Sequence, residues 1–244
     1  MNEILLRPIW QKVFRLDIIF ISIMFVFLGI IRVTGLYREE IYLVVLGFLI
    51  MWFLPVIFFG KNGRRRIGVR IPENWYWLCL SFLLGVIVAF VFYLFGYILY
   101  GTGIENWGMT VAREFSDQEE VLIPVVFAVV TLFSMLFSPI GEELFFRGML
   151  QEVFAKKLAS YKLAGFWSSL LFAAIHLPHH DIFFSSPGFF KTLVPLAIWF
   201  IFMFLVSTLF IFARIKSGSI LGAIACHSGY ILGMNLFVYY FLLL

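Results

Sequence analysis

The chain has 244 residues, of which 63% are hydrophobic and 13% charged, and its mean hydropathy is +1.02. Water-soluble domains carry about 25% charged and about 45–50% apolar residues, so a fold surrounded by water is excluded and lipid must be the solvent. The formal charge of +4 does not mark a nucleic-acid partner, because the basic residues sit in connections between apolar stretches, where they act as topology signals.

A hydrocarbon core about 30 Å thick takes roughly 20 mostly apolar residues to cross. Such stretches run from Leu16 to Val33, Ile41 to Phe59, Trp75 to Tyr100 and Val121 to Phe137. A shorter one follows at Leu163 to Leu177, then Phe189 to Ile215 and Ser219 to Leu244. The expected fold is therefore all-α, a polytopic transmembrane helix bundle of about seven to eight helices with seven crossings. No small-residue cleavage site follows the first apolar run, which reads as a retained span rather than a signal peptide. The polar segment Gly101 to Glu120 is expected to be a loop with a short surface helix. Cys79 and Cys226 both lie in apolar stretches and form no disulfide framework.

Alternating the loops gathers Arg7, Lys12, Arg15, the run Lys61, Arg64, Arg65, Arg66 and Arg70, then Arg147, Lys156, Lys157, Lys162, Arg214 and Lys216 on one side. These are 14 of the 18 basic residues, leaving Arg32, Arg38, Arg113 and Lys191 on the other. The asymmetry puts the N-terminus in the cytoplasm and predicts a multi-pass protein of the cell (plasma) membrane.

Ionisable groups inside spans are costly, about 2.5–3.5 kcal/mol for Asp, Lys or Arg at a helix centre, and are functional candidates by default. Directly after the fourth span comes Ser138-Pro139-Ile140-Gly141-Glu142-Glu143-Leu144-Phe145-Phe146-Arg147. Pro139 predicts a kink or restart. Glu143 and Arg147 are four apart, on one helical face, so Arg147 can hold Glu143 while Glu142, about 100° further round, meets something else. In the fifth span Phe172 stands one turn before His176. In the last span His227 lies beside the pairs Gly218/Gly222 and Gly229/Gly233, a spacing that lets helices approach closely. Read singly, each is as well explained by an interfacial ion pair or a polar packing contact. Read together, Glu142, His176 and His227 come from three spans and must find partners. A carboxylate beside an imidazole can polarise water, which describes a hydrolase.

Glu-Glu-x-x-x-Arg, then Phe-x-x-x-His, then a histidine in a later span resembles the CPBP family, which includes the type II CAAX prenyl endopeptidases and bacterial proteins linked to bacteriocin processing and self-immunity. The resemblance covers Val121 to about Asn235. It implies one membrane domain over 1–244, with spans and an outer loop in 1–120 and the catalytic core in 121–244. It further implies an intramembrane, glutamic-type endopeptidase, with a cavity open towards the cytoplasm and no cofactor or resident metal. Its partners would be membrane lipid and a membrane-associated or lipidated protein or peptide. By this similarity Glu142 and His176 activate the water, Glu143 held by Arg147 supports them, Phe172 flanks His176, and His227 helps stabilise the oxyanion. Family members commonly carry Asn or Asp four residues after the last histidine, where this chain has Ile231; Ser228 and Asn235 are the nearby polar alternatives.

Zinc chemistry is the competing mechanism, since Glu and His are ordinary ligands, but there is no His-Glu-x-x-His and the residues are scattered. The local cluster His179, His180, Asp181 reads as a polar loop. The competing function is a catalytically inactive, CPBP-like scaffold or regulator. Paired inverted halves, the mark of many transporters, are not found in the sequence.

Overall fold

The structure, a computed structural model, describes residues 6–13, 17–116, 122–179 and 189–243. Among these it is all-α, with a single isolated bridge between Leu6 and Phe59. In chain order the helices are α1 (Pro8–Val13), α2 (Asp17–Tyr37), α3 (Ile41–Phe58), α4 (Lys61–Arg66), α5 (Tyr76–Tyr100), α6 (Trp107–Ser116) and α7 (Ile123–Glu142). A π-helix (Glu143–Leu150) joins α7 to α8 (Gln151–Leu158), followed by α9 (Tyr161–Ile175), α10 (Phe189–Ser217) and α11 (Ile220–Val238).

Among the described residues, six helices are long and apolar enough to cross a bilayer, so the polytopic bundle stands and the count differs. The expected fifth crossing, Leu163 to Leu177, is the 15-residue α9. At 1.5 Å per residue it reaches only about 22 Å, short of the about 30 Å of hydrocarbon. The fourth crossing is longer than expected, because Ile123–Leu158 runs on as one helical stretch of 36 residues. Pro139 lies inside α7 without ending it, and the widened π turns that follow carry the chain on to α8. Ala159 then takes a left-handed conformation (φ 50°) and the Ser160 hydroxyl accepts from the Leu163 amide at 3.3 Å, turning the chain back into α9.

Several of the basic residues expected on one side meet at one end of the bundle, whereas Arg147 is completely buried among aromatic rings and Arg15 lies outside the described residues. Arg66 pairs with Glu152 at 2.9 Å, Lys156 with Asp17 at 2.8 Å, and Arg70 donates to the Gly218 carbonyl at 2.6 Å. Arg214 donates to the carbonyls of Arg66 and Arg147. Depth can be measured from this end.

At the centre, α11 packs against α5 along the small-residue seam read from the sequence. A Cβ at Gly229 would overlap the Phe82 carbonyl, one at Gly85 would overlap the Cys226 carbonyl, and one at Gly233 would press on Val86. Lipid offers no hydrophobic drive between helices, so this close approach of backbones is what holds the pair. Gly229→Val is therefore expected to lower stability by about 1–3 kcal/mol through overpacking, read as earlier unfolding of the detergent-solubilised protein. Substitution at lipid-facing Leu83, 55% exposed, should leave the transition in place.

Candidate active site

Glu142 sits 14 positions before Lys156 in a continuous stretch, about 21 Å in from the basic end. His176, the cap of α9, stands at a similar depth, about 22 Å from Tyr161. Gly141 sets the lateral position: a Cβ there would stand 2.9 Å from the Phe48 carbonyl oxygen and 3.2 Å from Met51, so α7 can lie directly on α3.

Glu142, Glu143 and Arg147 are completely buried, and His227 and His176 are 5% and 8% exposed. Glu143 and Arg147 pair at 3.1 Å across one turn, as their spacing predicts. The guanidinium also lies 4.0 Å above the Phe172 ring and 5.0 Å from that of Phe210. The other Glu143 oxygen meets His227 Nδ1 at 2.8 Å, and His227 stacks on Phe210 with ring centres 4.6 Å apart. Thus Arg147, Glu143 and His227 form one chain that links the π-helix to α11.

Glu142 faces the opposite way. Its Oε2 lies 3.6 Å from His176 Nε2, too far for a direct hydrogen bond. His176 Nδ1 lies 2.7 Å from the Phe172 carbonyl. A carbonyl only accepts, so Nδ1 carries a proton, and in the neutral ring Nε2 then presents its lone pair to the carboxylate. Phe172 packs on the imidazole at 4.2 Å between ring centres, and Trp199 Nε1 donates to the His176 carbonyl at 3.2 Å. Two acceptors thus face each other, close enough for one water at their side to reach both.

The remaining Glu142 oxygen bonds Arg32 at 2.6 Å. Arg32 was read as an outer-loop charge, but it is 7% exposed, inside α2. Its depth follows from the pairing of the two helices: Asp17 meets Lys156 and Arg32 meets Glu142, so 15 residues of α2 match 14 of the antiparallel partner stretch.

A cavity of about 200 Å³ adjoins the cluster, lined by Arg32, Ser134, Ser138, His176, His227 and Ile231 and walled by Phe172, Trp199, Met203 and Phe210. It extends away from the basic end, towards Tyr93 and Trp107. On the side of the cluster nearer the basic end, Phe145, Phe146 and Met149 are each at most 1% exposed. Ser228 does not serve the cavity, since its hydroxyl donates to the Met135 carbonyl at 2.7 Å and ties α11 to α7. Asn235 lines the cavity but donates to Thr131 at 3.1 Å. Among the described residues, no three His, Cys, Asp or Glu side chains are grouped to hold a metal ion. His180 and Asp181 lie outside the described residues, as does the His179 side chain.

Removing one partner of a buried pair leaves an uncompensated charge, at a cost of about 3–5 kcal/mol. Arg147→Met should destabilise the protein by about that much, and the double change with Glu143→Leu by less, as measured by denaturant unfolding in detergent.

No curated protein and no solved structure matches this chain. The comparison with family models does give a match, over residues 124–232, to the family described as type II CAAX prenyl endopeptidase Rce1-like. The matched region contains Glu142, Glu143, Arg147, Phe172, His176 and His227, while Arg32 lies outside it. Residues 124–232 are thus similar to the Rce1-like family, in agreement with the CPBP resemblance of the motifs.

Proposed function

We propose that this protein is an intramembrane endopeptidase that hydrolyses a peptide bond in a membrane-associated or lipidated protein or peptide, using water activated by Glu142 and His176. The observation that carries this reading is the 3.6 Å facing of Glu142 Oε2 and His176 Nε2 beside the cavity. A water beside the pair donates one hydrogen to each acceptor, which aims its lone pair at a carbonyl carbon in the cavity. Attack forms the new C–O bond, moves the carbonyl π pair onto oxygen and passes the water proton to Glu142. Collapse of the tetrahedral intermediate breaks the C–N bond, and the departing nitrogen takes that proton back, so Glu142 serves first as base and then as acid. Phe172 fixes the His176 ring, and Arg147 through Glu143 orients His227 towards the reacting centre.

The basic end faces the cytoplasm by the positive-inside rule, which makes the N-terminus cytoplasmic in a cell-membrane protein. On this orientation the cavity lies in the half of the bundle away from the cytoplasm. The scaffold reading draws on Ile231, an apolar residue lining the cavity one turn beyond His227.

Comparative proteomics of membrane-peptide termini separates the two. Termini produced by the wild type should fall by about 10²–10⁴-fold with Glu142→Gln, the range for a general base, at unchanged protein level, and likewise with His176→Ala. Identical termini in the wild type and Glu142→Gln would rule out proteolysis in favour of the scaffold.

A further inference from the structure

The cavity has one cationic side chain among its described lining residues that does not depend on histidine protonation, and it comes from the first span. Arg32 lines the same space as His176 and His227 while bonded to Glu142 at 2.6 Å. Neither histidine is a ready donor to a developing oxyanion. His176 spends its Nδ1 proton on the Phe172 carbonyl at 2.7 Å, leaving Nε2 as an acceptor. His227 spends its Nδ1 proton on Glu143 at 2.8 Å, so its Nε2 donates only when the ring is an imidazolium. One turn along α11, Ile231 turns an apolar side chain into the cavity.

Resting on the proteolytic reading above, we infer that Arg32 is the anion-binding catalytic residue of this site, pairing with the Glu142 carboxylate in the resting protein and with the oxyanion in the tetrahedral intermediate. The argument follows the charge. As water adds to the carbonyl, its proton neutralises Glu142 and one negative charge appears on the carbonyl oxygen a few ångströms away. The guanidinium loses its counter-ion as the new anion forms beside it. A fixed cation in an apolar bundle binds whichever anion is present, and it is in place before the reaction begins, the condition under which electrostatic stabilisation is strong. Its planar fork of N–H donors suits an oxygen anion better than a lysine point charge would.

The probe is a hydrophobic peptidyl phosphonate, a non-hydrolysable tetrahedral anion, titrated into purified protein in detergent. The wild type should bind it, and Arg32→Gln should weaken binding by 10²-fold or more, the range for one lost oxyanion donor. Adding Ile231→Asn to Arg32→Gln should recover at least about tenfold, because an amide one turn after His227 faces the same cavity. Glu142→Gln should bind at least as tightly as the wild type, since its charge competes for the guanidinium. The proposal is overturned if the wild type does not bind, if Arg32→Gln binds like the wild type, or if Glu142→Gln loses as much as Arg32→Gln, which would mean that Arg32 serves only to hold the carboxylate. Should Arg32→Gln not fold, Glu142→Gln and the single change Ile231→Asn, expected to tighten binding, carry the decision. Phosphonate binding needs no turnover, so failure of the proteolytic reading, seen as unchanged peptide termini, stays separate from failure here.

Discussion

Two carboxylates lie next to each other in sequence, fully buried in a bundle whose outer surface is apolar. Neither could remain ionised alone, because an unpaired charge in such surroundings costs several kcal/mol even after relaxation. Two guanidiniums answer them, Arg147 from the next turn and Arg32 from another helix. Around these pairs the architecture follows: α2 must lie along the stretch from Glu142 to Lys156, α9 must end at the level of Glu142, and α11 must come close enough for His227 to reach Glu143. The glycine contacts between α5 and α11 and the bare Gly141 against α3 are what let the backbones approach that far.

The two pairs differ in kind. Arg147 is hemmed in by Phe146, Phe172 and Phe210 and turned away from the cavity, which suits a fixed support. Arg32 borders the cavity itself. The π-helical segment that begins at Glu143 helps to separate these roles, because it widens the helix where Glu142 and Glu143 must point to different neighbours. Such π turns occur frequently at functional sites.

Much of this could be read from residue spacing. The Glu143–Arg147 pair follows from helical periodicity alone, the clustering of basic residues from loop alternation, and the α5–α11 seam from Gly229 and Gly233. Other features depend on the tertiary fold. Proline chemistry predicts a kink or restart at Pro139, but α7 continues through it to Glu142 and the π-helix then carries the chain on. Loop counting treats any arginine near the end of an apolar stretch as a loop residue, so Arg32 was assigned to the outer side. Its partner is 110 residues away, and no local pattern encodes that distance. Ser228, a plausible donor by position alone, proved to be bound to the backbone of a neighbouring helix.

The long separation of Arg32 from Glu142 also bears on biogenesis. At about 5–20 residues per second of synthesis, the first span waits roughly 5–20 s for its acidic partner to leave the ribosome, carrying meanwhile a charge that disfavours insertion by about 2.5–3.5 kcal/mol at a helix centre. Assembly of this protein thus needs a holding step, in which the insertion machinery or a local water defect shelters the guanidinium until the fourth span arrives to receive it.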